Sequence, residues 1–178
     1  PVQLPLFYQN LIPLTSDLHA SDGLVERQNV EFARATHAIP ITVDEFVMAQ
    51  RHYPIVFSDG AEGVPLALVG LKEGENLFMD ANGNWVGDAY VPAYVRRYPF
   101  ILAKRDPTST ELSLCFDEAS GMFGPDRGQP LFEGLEASEA TKNALEFCSQ
   151  FEAAVFRTRQ FMQEIEGLGL VIDGEVSM

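Results

Sequence analysis

Apolar positions recur in short, turn-bounded runs through the first two thirds of this chain and at helical spacing through the last third. Period two marks strands and steps of three and four mark helix, so the pattern predicts a mixed fold with one dominant C-terminal helix. Residues 4–14 alternate apolar runs with Pro5 and Pro13, as an edge or extended segment does. Thr15 to Gly23 is polar and turn-like, and the alternation Val30, Phe32, Arg34, Thr36 predicts a strand closed by Pro40. Thr42-Val-Asp-Glu45 matches a capping box, which opens a helix to about Gln50. Tyr53-Pro54 stops it, because the residue before proline is pushed out of the helical region. Strands are predicted at Ile55–Phe57, Val64–Leu71 and Asn76–Asp80. Asn82-Gly83 then turns a hairpin toward Trp85-Val86. Tyr90 to Tyr98 predicts a short helix with Pro92 in its first turn. Phe100–Ala103 and Glu111–Asp117 predict two further strands, and the Gly-, Asp- and Pro-rich Glu118–Gln129 a long surface loop.

The C-terminal pattern is the clearest. A helix capped at Ser138 or a neighbour is predicted to about Glu166, with Gly167 as its stop. Cys148, Phe151, Val155, Thr158, Met162 and Ile165 form its seam, and Phe156 lies off that stripe. Such a helix spans roughly 43 Å, longer than a small domain is wide. It therefore breaks, or carries part of an apolar face beyond its own core, which predicts self-association. The fold class expected is α+β: an antiparallel meander or curved sheet packed by short helices and one long C-terminal helix, with residues 1–178 forming a single domain.

Composition narrows the function. Twelve Lys+Arg against 26 Asp+Glu give a net charge of −14, which repels phosphate backbones and anionic lipid surfaces. Nucleic acid is not an expected partner. No apolar run approaches the roughly 18 residues of a membrane helix, so membrane insertion is not expected either. No signal-peptide pattern opens the sequence, which points to the cytoplasm. The two cysteines, Cys115 and Cys148, sit among apolar neighbours and read as small buried hydrophobes. The histidines, His19, His37 and His52, have no ligand at metal-binding spacing, so no metal is expected, and no motif names a cofactor.

The least generic stretch is Tyr-Val-Pro-Ala-Tyr-Val-Arg-Arg-Tyr-Pro-Phe, residues 90–100. Guanidinium groups bind carboxylates and phosphates bidentately and stack on aromatic rings. Tyr90, Tyr94, Arg96, Arg97 and Tyr98, with Asp117 from the following strand, are therefore the candidate ligand-binding residues. Neighbours on a helix diverge by about 100°, so one arginine should turn inward to a carboxylate, Asp117 or Asp80, and the other outward. Arg51-His-Tyr-Pro and Arg96-Arg-Tyr-Pro, each followed by three apolar residues, form an internal echo. It reads either as a pair of related half-domains or as one helix-to-strand junction used twice.

These residues also carry a resemblance. Phe7-Tyr8, Tyr53-Pro-Ile-Val-Phe57, Asn76-Leu-Phe78, the Tyr90–Phe100 run and Cys115-Phe-Asp117 resemble the bacterial SapC family, as does the chain down to Phe132 and Arg157-x-Arg159. The resemblance implies a link to a bacterial surface layer, and it supplies no catalytic residues. The unrelated peptide-transporter permease that shares the name is not resembled, for want of a membrane span. Two functions follow as expectations. The first is a non-enzymatic binding or accessory protein for a peptide, a protein or a small anionic ligand, forming homo-oligomers. The alternative is an enzyme with a pocket near Arg96, Arg97 and Asp117.

Overall fold

A computed structural model describes residues 4–59, 63–104, 111–172 and 174. In chain order the strands are β1 (Leu11–Pro13), β2 (Asp22–Leu24), β3 (Ala38–Pro40), β4 (Ile55–Phe57), β5 (Pro65–Leu68), β6 (Phe100–Lys104), β7 (Leu112–Asp117), β8 (Phe123–Pro125), β9 (Gln129–Pro130), β10 (Phe132–Glu133) and β11 (Glu136–Ala137). The helices are α1 (Ser16–His19), α2 (Phe46–Ala49), α3 (Ala93–Arg97) and α4 (Glu139–Gly167). The fold is α+β: among the described residues every strand pairing is antiparallel, α1 to α3 are short, and α4 alone is long. The strands between 55 and 117 divide between two sheets instead of running on as one meander, with orders β3-β5-β4 and β1-β7-β6.

The chain gathers into two compact units, residues 1–28 with 97–150, and residues 29–96 with 151–178. In the first unit β7 lies between β1 and β6, which sets Phe116 opposite both Ile12 and Phe100. Phe100, Leu114, Phe116, Leu131 and Cys148 of α4 form its core. Phe123 closes the core, its ring 4.2 Å from Phe116 and edge-on to Phe100 at 5.5 Å. His19 is a core residue here, buried and edge-on to Phe116. Ser138 begins α4, accepting from the Thr141 N–H through its hydroxyl and from the Lys142 N–H through its carbonyl.

The predicted loop after Glu118 contains β8 and β9, which flank β2 in a separate sheet. A glycine in β2 permits this: a Cβ on Gly23 would stand 1.7 Å from the Arg127 carbonyl oxygen, so only a bare backbone fits.

In the second unit β5 lies between β3 and β4. Ile39, Ile41, Ala49, Ala67 and Val69 are buried there. Glu45 reaches back to the Thr42 N–H at 2.8 Å, as the capping box predicts; residues 43–45 form a 3-10 turn that leads into α2. The predicted strand at 30–36 is a 3-10 turn, Glu31–Ala33, because the Asn29 side chain accepts from the Glu31 N–H and starts the turn. The Asn82-Gly83 turn forms, but the predicted strand at Asn76–Asp80 does not: the two arms meet only in an isolated bridge. Gly83 takes φ +81, Asp80 accepts from the Asn82 and Asn84 N–H groups, and Met79 pairs with Trp85.

On α4 the buried line is Thr141, Cys148, Phe151, Ala154 and Thr158, whereas Val155, Met162 and Ile165 are only half-buried. This corrects the predicted seam: beyond Thr158 no described residue of the helix is fully buried. Within the second unit Phe46 meets Phe161 edge-on at 5.6 Å, Tyr94 meets Phe151 at 6.2 Å, and Thr158 Oγ1 accepts from the Val43 N–H at 2.9 Å. Gly167 does not stop the helix; Gly169 does, with φ +64, while the Leu170 N–H bonds back to the Ile165 carbonyl.

Phe151 is 7% exposed and Phe156 60% exposed. Phe151→Ala is expected to cost about 3 to 5 kcal/mol in urea denaturation, and Phe156→Ala less than about 0.5 kcal/mol in the monomer.

Candidate functional site

The boundary between the two units falls between Arg96 and Arg97, so the two arginines belong to different settings. In the first unit Asp117, at the end of β7, has no exposure to solvent. Its carboxylate accepts from the Asn10 N–H at 2.7 Å, the Gln9 N–H at 3.2 Å and the Tyr98 hydroxyl at 3.0 Å. Burial, then the bond to Asp117, pushes the Tyr98 phenol well above its ordinary pKa. The Tyr98 ring lies 5.3 Å from that of Tyr8, whose hydroxyl donates to the Phe100 carbonyl at 2.7 Å. Arg97 is buried with its guanidinium 5.8 Å from the centre of the Tyr8 ring. Arg27 donates to the Tyr98 carbonyl at 2.9 Å, and burial lowers its pKa. The Tyr98–Pro99 peptide is cis.

In the second unit the centre is Glu45, which is 6% exposed. One carboxylate oxygen accepts from the N–H and hydroxyl of Thr42 (2.8 and 2.9 Å); the other accepts from the Ala93 N–H at 2.7 Å and the Tyr90 hydroxyl at 3.0 Å. Glu45 thus ties the start of α2 to the start of α3. Arg96 is exposed. It donates to the Tyr90 hydroxyl at 3.1 Å and the Val91 carbonyl at 3.0 Å, with its guanidinium 5.7 Å from the Tyr90 ring centre. The Tyr90 carbonyl accepts from the Tyr53 hydroxyl at 2.5 Å, and that hydroxyl accepts from Trp85 Nε1 at 2.8 Å. Phe78 stands edge-on to Tyr53 at 4.6 Å. Burial pushes the Tyr53 phenol up to about 12 and, with Glu45 beside it, raises that of Tyr90.

The structure therefore sorts the six candidates. Arg97, Tyr98 and Asp117 are buried in the first unit; Tyr94 is buried against Phe151, Tyr90 is half-buried, and Arg96 is exposed in the second. Tyr90 precedes α3 and Tyr98 follows it, so the three tyrosines do not form a helical row. Asp80 serves as the turn residue of the hairpin. Sequence reasoning took Glu45 for a local cap and missed its bond to Ala93, 48 residues on. It also missed Tyr8, Tyr53, Trp85 and Arg27. The Arg-x-Tyr-Pro echo was the available signal for Tyr53, since both Tyr53 and Tyr98 bury a bonded hydroxyl at a helix-to-strand junction. Among the described residues no three His, Cys, Asp or Glu side chains gather to hold a metal ion, and no helix is long and apolar enough to cross a membrane.

A family model described as SapC matches residues 14–178. No curated protein and no solved structure matches the chain.

Glu45→Gln is expected to cost about 1.5 to 3 kcal/mol in chemical denaturation, because an amide NH2 would face donors on one side of the group. Alkaline titration followed by phenolate absorbance should show a tyrosine ionising near pH 12 that Tyr53→Phe removes. The folded pKa lies above the unfolded value of about 10, so the stability held by the neutral phenol is intact below pH 10. It is lost as pH rises from about 10 to about 12.

Proposed function

The chain belongs to the SapC family, and from that premise we propose that it is a binding or accessory protein, not a catalyst, whose partner is a peptide or protein segment carrying a carboxylate. The observation that carries this reading is Arg96. It is an exposed guanidinium, held by the Val91 carbonyl, the Tyr90 hydroxyl and the Tyr90 ring. An arginine fixed in this way loses little side-chain freedom on gripping an anion. With a net charge of −14 around it, a polyacidic partner is repelled as a whole. A single carboxylate on an otherwise neutral or basic segment fits better.

The two carboxylates nearest the candidate residues support a non-catalytic role. Asp117 accepts three hydrogen bonds and Glu45 four, each holding scaffold in place. A general base needs a lone pair turned to substrate. The enzyme reading asks for a pocket near Arg96, Arg97 and Asp117, and for Asp117 to act there it would have to give up one of its bonds to Gln9, Asn10 or Tyr98.

The test uses a panel of peptides with a free C-terminal carboxylate and the same peptides amidated, read by melting shift and calorimetry. Free-carboxylate peptides should stabilise the protein, and Arg96→Ala should weaken them at least about tenfold while leaving the unliganded melting temperature nearly unchanged. Equal binding to Arg96→Ala, or to the amidated peptides, would refute the reading.

A further inference from the structure

Past Thr158, α4 keeps its apolar pattern while its burial fades. Val155, Met162 and Ile165 are half-buried, and Phe156, Leu168 and Leu170 are 60%, 66% and 70% exposed. A stretch of helix and cap is thus left with apolar surface that its own unit does not fully cover. The charges beside it are arranged in a particular way. Val155, Arg159, Met162 and Glu166 succeed one another by four, three and four residues, so they fall in one strip within about 60° of arc. Arg159 and Glu166 are both exposed, and among the described residues neither side chain has a hydrogen-bond or ion-pair partner. They lie two turns apart, about 10.5 Å along the axis, on either side of Met162 and Gln163.

That spacing is self-complementary. If a second copy of the helix runs antiparallel and crosses between Met162 and Gln163, each Arg159 faces the other copy's Glu166. The same register sets Val155 opposite Leu170, and Phe156 beside the Leu168–Leu170 turn. A two-fold axis requires such reciprocity of any isologous contact, whereas an unrelated partner imposes no relation between a residue and its mirror position on the same strip. Each copy carries a net charge of −14, which opposes association, so a contact between copies needs opposite charges placed face to face.

We propose that residues 155–170 form a homodimer interface in which α4 packs antiparallel on α4 of a second copy, with Arg159 and Glu166 paired reciprocally around Met162. The inference stands apart from carboxylate recognition at Arg96 and uses none of its residues.

Sedimentation equilibrium of the full chain, from micromolar to submillimolar concentration, tests it. The native protein should dimerise. Arg159→Glu and Glu166→Arg should each weaken the dimer about tenfold, since each turns two symmetry-related attractions into repulsions. The double variant, Arg159→Glu with Glu166→Arg, should return to native affinity, because the pairs are restored with their signs exchanged. Both side chains are exposed, so far-ultraviolet circular dichroism, and melting at concentrations where the chain is monomeric, should be unchanged throughout. A native monomer at every concentration would overturn the proposal and assign this face to a different protein. A dimer indifferent to both single changes, or a double variant no tighter than the singles, would overturn it as well. Arg96→Ala should leave the dimer intact, and Arg159→Glu should leave peptide binding intact, which separates this result from the peptide test.

Discussion

Asp117 carries a carboxylate with no exposure to solvent, and a buried carboxylate is tolerable only when its oxygens are answered. The answering groups are the N–H donors of Gln9 and Asn10 and the hydroxyl of Tyr98. Through them the end of β7 holds both the segment leading into β1 and the residue that follows α3. The strand pairings continue the same join: Leu11 lies opposite Asp117, and the Asp117 N–H bonds to the Pro99 carbonyl. Removing the charge would leave two backbone donors and a phenol without a strong acceptor in a dry site. That asymmetry ties the geometry of this region to one side chain.

Glu45, also buried, plays the equivalent part in the second unit. Four donors converge on it, two from its own capping turn and two from the start of α3. The Tyr90 hydroxyl is thereby placed between Glu45 and Arg96, and the Tyr90 ring beneath the guanidinium. Trp85 and Tyr53 hold the Tyr90 backbone from the other direction. What looks in sequence like a run of aromatic and basic residues is a short polar relay that fixes one exposed charge. The tyrosines there hold that charge in place through their hydroxyl, ring and backbone carbonyl.

Membership of the SapC family constrains the chain more than it explains the chemistry. The carboxylates of Asp117 and Glu45 are engaged in holding elements together, whereas Arg96, Arg159 and Glu166 are exposed. These two surfaces differ in character. One is a single oriented cation; the other is apolar with balanced charges. Substitutions can therefore separate them.

The α+β class, the antiparallel pairing, the Asn82-Gly83 turn, the capping box at Thr42 and the extent of α4 were all legible in the sequence. Each depends on local geometry: periodicity, turn chemistry or a cap within a few residues. The failures have the same origin seen from outside. Val30–Thr36 alternates like a strand, yet Asn29 turns it; the glycine-rich stretch after Glu118 reads as loop, yet its bare backbone pairs beside β2. The candidate arginines could be named from their neighbours, and their divergence by a helical step anticipated. The partners that give them roles, Tyr8 for Arg97 and the Glu45–Tyr90 bond for Arg96, lie far away in sequence and leave no local pattern. The sequence determined the long helix, the capping box and the Asn82-Gly83 turn, because periodicity, caps and turn chemistry are properties of nearby residues. Only the tertiary structure decided that Arg97 is scaffold and Arg96 surface, because burial is a property of what the rest of the chain brings alongside.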